Sequence, residues 1–266
     1  DTPISENSFT GLGVGAALVG MRPVVEIMTI NFMLLALDSI INGAAKIPFM
    51  SGGRLKMPLV VRVPGGIARQ LAAQHAQRLE HTLMNVPGLR IAVPATPQDA
   101  YWQLRQAIAS DDPIILLEHE LLYFTKGQVD FVAEAPPIHR AAVRREGRDL
   151  TIVSYSRHAM LAQEAAIELA KGGIEAEVID LRSLKPIDWV TCAASVEKTH
   201  RLLIVEEDCR FAGADAEISA TLTERCFYSL DAPVQRLAGL DIPTPYNGAL
   251  EAASIPQVAD IVAAAR

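Results

Sequence analysis

Cysteine is scarce in this sequence of 266 residues, which contains Cys192, Cys209 and Cys226 and no Cys-x-x-Cys pair. The spacing predicts neither a disulfide framework nor a zinc site with paired cysteine ligands. Five histidines are also isolated and lack the spacing of metal ligands: His81, His119, His139, His158 and His200. We therefore expect single thiols, buried or at the surface, in a reducing compartment.

The sequence is also poor in positive charge and in long apolar runs. The sequence has 24 Lys and Arg residues against 31 Asp and Glu residues, which gives a formal net charge of −7. No run of five or six basic residues offsets this balance, so binding to a nucleic-acid backbone is excluded. No apolar stretch reaches the length of a membrane span, and no signal peptide opens the chain. These features predict a soluble intracellular protein with neither a nucleic-acid nor a membrane partner.

Several short catalytic motifs are missing from the sequence. It has no Walker loop, no Gly-x-Ser-x-Gly elbow and no His-Glu-x-x-His pair. A Gly-x-Gly-x-Gly run occurs at residues 11–15, but its spacing differs from the dinucleotide-binding fingerprint and no strand directly precedes it. Close packing of a helix, which glycine permits, explains that run better than nicotinamide binding.

Strands alternate with helices along the chain, which is typical of α/β domains with a mostly parallel sheet. Predicted strands lie at 23–28, 58–63, 89–93, 113–118, 150–155, 176–180 and 202–206, and predicted helices at 11–20, 32–45, 97–110, 159–171 and 212–225. The pattern weakens over 125–148, which contains Pro136, Pro137 and a charged turn. We predict two tandem α/β domains, 1–124 and 149–266, joined by this connection.

Four residues are candidates for a functional site, and each also has a simpler structural interpretation. Glu6 lies just ahead of the first helix, where an acidic residue most simply complements the helix dipole. His75 lies in a glycine-rich segment that leaves the carboxyl end of a strand, where α/β proteins place ligands. It is a candidate proton donor, although a surface histidine is the simpler interpretation. Met28 and Phe32 are plain core residues or the walls of an apolar slot.

Several motifs in colinear order together resemble one family, the β subunits of thiamine-diphosphate-dependent 2-oxo acid dehydrogenases. They run from end to end of the chain: 1–6, 26–32, 50–53, 62–66, 74–77, 87–89, 205–207, 213–218 and 243–246. The segments Thr2–Glu6, Arg69–Leu71 and Gln77–Glu80 are most similar to the pyruvate branch of bacterial and plastid type. An acetoin or branched-chain enzyme remains a close alternative.

The resemblance implies a pyrimidine-binding domain over 1–124 and a transketolase-type C-terminal domain over 149–266. It also implies that an α subunit completes an α₂β₂ heterotetramer with the cofactor at the interface between α and β. The sequence lacks the Gly-Asp-Gly segment and following Asn pair that hold Mg²⁺ and diphosphate in thiamine enzymes. By resemblance, the α subunit supplies them. Substrate and second partner are expected to be pyruvate and the lipoyl group of a dihydrolipoyl acyltransferase.

Residue roles follow from the resemblance by position. Glu6 matches the glutamate that hydrogen-bonds the aminopyrimidine of the cofactor, and Ile4, Met28 and Phe32 match residues of the pyrimidine slot. His75 matches a histidine associated with the substrate and the lipoyl step. A potassium site made of backbone carbonyls maps to these positions: Leu59, Ala107, Ile108, Ser110 and Asp112.

Two further interpretations compete with a catalytic β subunit: a non-catalytic scaffold that docks the acyltransferase, and a free-standing nicotinamide dehydrogenase. The chain begins at Asp1, without Met or a preceding strand. Family members carry a further helix and strand ahead of this point, so we expect a trimmed chain whose first sheet is incomplete. The compartment implied by the resemblance is the bacterial cytoplasm or the plastid stroma.

Overall fold

Two α/β domains follow one another in the computed structural model, which describes residues 1–67 and 69–266. Within those residues, each domain is built on one five-stranded sheet. Most neighbouring strands are parallel, and an antiparallel strand closes one edge of each sheet. The predicted fold class of two tandem α/β domains with mainly parallel sheets is confirmed.

The first sheet has the order β1 (Val24–Glu26), β2 (Val60–Gly65), β4 (Ile114–His119), β3 (Arg90–Ala92) and β8 (Ser183–Lys185). The central strand β4 is buried along its whole length, as a parallel strand covered on both faces must be. The helices of the first domain are α1 (Glu6–Leu18), α2 (Ile30–Met33), α3 (Ile47–Met50), α4 (Glu80–Met84) and α5 (Pro97–Ala109).

The helix α1 packs closely on β1 through one glycine. A Cβ atom built on Gly13 would come within 2.5 Å of a methyl group of Val25, whereas one on Gly15 would meet nothing within 4 Å. Only a residue without a side chain allows this approach at position 13. The interpretation of residues 11–15 as a packing element therefore agrees with the structure.

The single helix predicted over 32–45 is wrong in detail. The chain forms α2, then a 3-10 turn at Leu34–Ala36 and a π turn at Ser39–Ala44. Its β-branched residues, Ile40 and Ile41, are followed by Asn and Gly, all weaker helix formers than Ala or Leu. Ile40 is nevertheless buried in the core, as its place in the apolar spacing predicts.

The second sheet has the order β10 (Gln235–Gly239), β9 (Leu202–Cys209), β6 (Leu150–Ser154), β7 (Ala176–Asp180) and β5 (Ala142–Arg145). Its helices are α6 (Ser156–Lys171), α7 (Trp189–Thr199), α8 (Ala214–Cys226), α9 (Gly248–Ala253) and α10 (Val258–Ala265). The order changes direction between β6 and β9, so their carboxyl ends open a crevice. The first domain packs onto this crevice, since His119 and the backbone of Ile67 both bond Glu207 at the end of β9.

Two short antiparallel strands lie where the sequence showed no strand. β5 falls inside the predicted connection 125–148 yet pairs with β7. β8 follows β7 in the chain but pairs with β3 of the first sheet. Neither segment contains the run of four or more apolar or β-branched residues that marks a strand locally, since β5 reads Ala-Val-Arg-Arg and β8 reads Ser-Leu-Lys.

No single helix in the described part of the chain is long and apolar enough to cross a membrane. One bent pair, Ile30–Ala36 with Ser39–Met50 at 66°, passes by length and composition alone.

Candidate active site

Glu6 is the first residue of α1, and its side chain is only 6% exposed. Among the described residues, no hydrogen bond holds its carboxylate, and the N-cap Ser5 bonds Ser8 instead. The carboxylate oxygens of Glu6 are not fully buried polar atoms that lack a partner, so they still reach solvent although the residue as a whole is buried. The position is therefore ready to accept a hydrogen bond from a ligand or from another chain.

Ile4 and Met28 place apolar side chains at the surface, 83% and 65% exposed. Met28 lies at an open cleft of about 750 Å³. The cleft is lined by Asp1, Glu26, Met28, Arg62, Pro64, Arg69, Glu120 and Tyr123. An apolar side chain exposed in a polar cleft, as Met28 is, fits a surface that something else covers.

The floor of that cleft is an ion-pair network centred on Arg62. Its guanidinium donates to both carboxylate oxygens of Glu118, at 2.6 and 2.9 Å, and to Glu26 at 2.6 Å. The Glu118 hydrogen bond raises the pKa of Arg62, so the guanidinium stays charged. Tyr123 donates to Glu118 at 2.6 Å, and burial together with this bond raises the pKa of its phenol. Arg62 and Tyr123 therefore shape the cleft without changing their protonation near neutral pH.

Phe32 and His75, predicted for the slot and for proton transfer, are in contact. Their ring centroids lie 5.5 Å apart with the planes at 84°, an edge-to-face arrangement. Phe32 is half-buried on α2, whereas His75 is exposed on the segment that follows β2. The structure thus brings together two residues that are 43 positions apart in the sequence.

The sequence analysis missed an amide pair beside this contact. Asn31, buried next to Phe32, donates from its Nδ2 to Oε1 of Gln77 at 2.8 Å. Thr29 donates to Oδ1 of Asn31 at 3.0 Å and orients that amide. The pair ties α2 to the segment that carries His75. Its only local signal was the position of each amide within two residues of a predicted site residue.

His119, to which no role was assigned, lies at the domain boundary. Its Nδ1 accepts the backbone N–H of Leu121 at 3.2 Å, so the proton is on Nε2, which donates to Glu207 at 2.9 Å. Burial lowers the pKa of His119 and keeps the ring neutral. Burial opposes ionisation of Glu207, but His119 and Arg78 hold its pKa well below the usual range.

Four of the five predicted potassium carbonyls already have donors. Arg22 Nη1 donates to the carbonyls of Ile108 and Ser110, at 3.1 and 2.7 Å, and Nη2 donates to Asp111. The carbonyls of Leu59 and Ala107 accept the amides of Ile114 and Ser110. A carbonyl has two lone pairs, so these bonds leave one on each oxygen. Two of the carbonyls do converge on one cation, and that cation is Arg22.

Side chains do not form a metal site in the part of the chain described here. No group of three or more His, Cys, Asp or Glu residues is placed to hold an ion. Cys192 and Cys226 are buried and Cys209 is half-buried, all as free thiols. This agrees with the expectation of single, unpaired cysteines.

Comparison with known proteins assigns both domains. The family model described as "Transketolase, pyrimidine binding domain" matches residues 1–126, and "Transketolase, C-terminal domain" matches residues 139–261. A solved structure, "Split gene transketolase, inactive beta4 tetramer", superposes with a TM-score of 0.81 over the whole chain and 81% of its own. At 23% identity, that likeness shows the fold alone.

Relatives identify the family more closely. The "Pyruvate dehydrogenase E1 component subunit beta" of Porphyra purpurea is 47% identical over the whole chain and 80% of its own length. The "Pyruvate dehydrogenase E1 component subunit beta-1, mitochondrial" of Arabidopsis thaliana is also 47% identical, over the whole chain and 74% of its own length. The chain therefore belongs to the family of pyruvate dehydrogenase E1 component β subunits.

Proposed function

We propose that this chain acts, with an α subunit, in the oxidative decarboxylation of pyruvate and in acetyl transfer to a lipoyl group. The observation that carries the proposal is Glu6, a residue 6% exposed whose carboxylate has no hydrogen-bond partner among the described residues and still reaches solvent. A protein of this family needs such an acceptor for the aminopyrimidine of thiamine diphosphate. Glu6 has the right charge, burial and vacant lone pairs.

The chain's own residues would hold one end of the cofactor. Glu6 would accept a hydrogen bond from the pyrimidine ring, while Ile4, Met28 and Phe32 would supply apolar contacts. Thiamine diphosphate, when bound, supplies the electron sink for decarboxylation. Glu6 contributes by holding the proton distribution on the ring, which is general acid–base work typically worth about 10²–10⁴ in rate.

His75 would act in the later transfer step. The ring is exposed, so an incoming lipoyl group can reach it, and Phe32 fixes one edge. When carbon bonds to one sulfur of the lipoyl disulfide, the S–S bond breaks, and an imidazole can donate a proton to the sulfur that leaves. We propose a role for His75 toward the lipoyl substrate.

The decisive experiment replaces Glu6 by Gln in the α/β complex. Pyruvate decarboxylation is expected to fall by about 10²-fold or more, and calorimetric affinity for thiamine diphosphate to weaken. Glu217→Gln, the same change in the first turn of α8, is the control for a helix-dipole acid and should leave both values unchanged. Full activity of Glu6→Gln would favour a scaffold role. Assays with acetoin and branched 2-oxo acids test the substrate.

The proposal also covers the partners and the compartment. We propose an α₂β₂ assembly in which the α subunit supplies the Mg²⁺ and diphosphate site, with a dihydrolipoyl acyltransferase as the acceptor. Names of relatives include mitochondrial and chloroplastic forms. We propose the bacterial cytoplasm or the plastid stroma for this chain. Titration of the cofactor with and without the α subunit tests the shared site.

Potassium and the domain limits also remain proposals. The ion would use the second lone pairs of the carbonyls at Leu59, Ala107, Ile108, Ser110 and Asp112, beside Arg22. Replacing K⁺ by Na⁺ should then lower the melting temperature of the complex, because an ion bound only to the folded state stabilises it. Equal melting temperatures in the two salts would rule out the potassium site.

The proposed limits are 1–124 and 149–266, joined at 125–148. Limited proteolysis should cut this connection ahead of β5, because the paired strand is protected. A first cut inside either domain would contradict these limits.

A further inference from the structure

The segment that carries His75 is bonded to the second domain through its backbone. We define the His75 loop as residues 69–79, between β2 and α4. The amide of Gln70 donates to Oε1 of Glu251 at 2.8 Å. The hydroxyl of Thr244 donates to the carbonyl of Ala76 at 2.9 Å. Glu251 is 3% exposed and Thr244 is 9% exposed, so the bond to Ala76 is buried and the bond to Gln70 is partly buried.

The backbone of the loop needs such support. Gln70 and Ala72 have φ angles of 55° and 60°, a left-handed conformation that costs a side-chain-bearing residue about 1–3 kcal/mol. Strained residues of this kind persist only where the surroundings hold them in place. Helix α9 packs directly on Gln70, since a Cβ atom built on Gly248 would lie 3.2 Å from the side-chain amide of Gln70.

The loop is also held from the first domain, on the side where His75 points. The His75 ring contacts Phe32, and Gln77 accepts a hydrogen bond from Asn31. The second domain bonds main-chain atoms on either side of His75, at Gln70 and Ala76. The loop is therefore clamped between the two domains.

We propose that Thr244 and Glu251 are positioning residues for His75. They fix the main chain of the His75 loop so that the imidazole stays against Phe32 when the lipoyl group arrives. This assigns the second domain a part in the reaction, through the backbone of a loop that belongs to the first. The reaction step rests on the function proposed above, whereas the clamp itself does not.

The test uses Thr244→Val and Glu251→Ala in the α/β complex, with two half-reactions measured separately. Acetyl transfer to the lipoyl group should fall roughly fivefold in each variant, the loss expected for one hydrogen bond. Decarboxylation followed with an artificial electron acceptor should change less than about twofold, because Glu6 is not moved. Hydrogen exchange in the His75 loop should become roughly fivefold faster in the full chain.

Two controls separate positioning from general loss of stability. Thr199→Val removes a buried hydroxyl that donates within the second domain, to Ser195, and should leave loop exchange and the ratio of half-reactions unchanged. Glu251→Gln keeps an acceptor for Gln70 and should restore most of the acetyl transfer lost in Glu251→Ala.

Unchanged loop exchange, or equal losses in both half-reactions, would overturn the clamp. If the wild-type complex shows neither half-reaction with pyruvate, the proposed function fails, while the exchange data still decide whether the clamp exists.

Discussion

Nε2 of His119 lies 2.9 Å from Oε2 of Glu207, and this hydrogen bond joins the end of the first sheet to the end of the second. The same carboxylate accepts the backbone amide of Ile67, two residues before the His75 loop. Nδ1 of His158 lies 3.5 Å away. One buried carboxylate of the second domain thus accepts two donors from the first domain, which makes it central to the relative placement of the two.

Removing this carboxylate should destabilise the protein strongly. Glu207→Ala leaves two buried neutral donors unpaired, at about 1–3 kcal/mol each, so we expect a loss of about 2–6 kcal/mol in the free energy of unfolding. Glu168→Ala breaks an exposed pair with Lys171 and should cost less than about 1 kcal/mol. Urea unfolding of both variants measures the difference. Equal losses would show that Glu207 does not join the domains energetically.

Acid sensitivity should depend on His119. Burial lowers its pKa from the ordinary 6.5, so the unfolded chain takes up a proton before the folded chain does. Stability is therefore lost as the pH falls below about 6.5. His119→Gln keeps a donor for Glu207 and should flatten the melting temperature between pH 7 and pH 5 relative to the wild type.

His81 provides a control of opposite sign. Its hydrogen bond to Asp208, 2.6 Å from Nδ1, raises the pKa of the imidazole. This contribution is present below pH 6.5 and is lost as the pH rises through the folded pKa. His81→Gln should therefore make the stability fall more steeply on acidification. The same slope in both variants would argue against these assignments.

The packing of α1 on β1 predicts unequal effects of two alanine substitutions in one helix. Gly13→Ala places a Cβ 2.5 Å from Val25 and should destabilise by about 1–3 kcal/mol through overpacking. Gly15→Ala meets nothing within 4 Å and should stabilise by up to about 1 kcal/mol through helix propensity. Thermal melting of the two variants decides whether the glycine run serves packing.

Thiol labelling should proceed in two stages. Burial raises the pKa of Cys192 to about 12 and also raises that of Cys226, so neither forms a thiolate readily. Burial raises the pKa of Cys209 as well, but Cys209 is half-buried and is the accessible one of the three, so accessibility sets the order of reaction. At pH 8 we expect one thiol per folded chain to react, and all three after unfolding. Rapid reaction of Cys192 in the native state would contradict its burial.

Much of the candidate site was accessible from sequence only through resemblance. Glu6 alone predicts a helix-dipole acid and His75 alone a surface histidine, because a single side chain carries no information about what it faces. The structure adds that Glu6 is buried and that His75 contacts Phe32. The Asn31–Gln77 pair was missed because amides of this kind are common in loops and their pairing is not local.

The sequence by itself determined the two α/β domains, because the alternation of buried strands and amphipathic helices is a local property of the apolar pattern. Tertiary structure decided the rest: β8 crosses to the first sheet, and Gln70 meets Glu251 across 181 positions. Such contacts depend on how the two domains pack, and no periodicity within a short window encodes that packing. The surroundings of His75 are therefore a product of the whole fold.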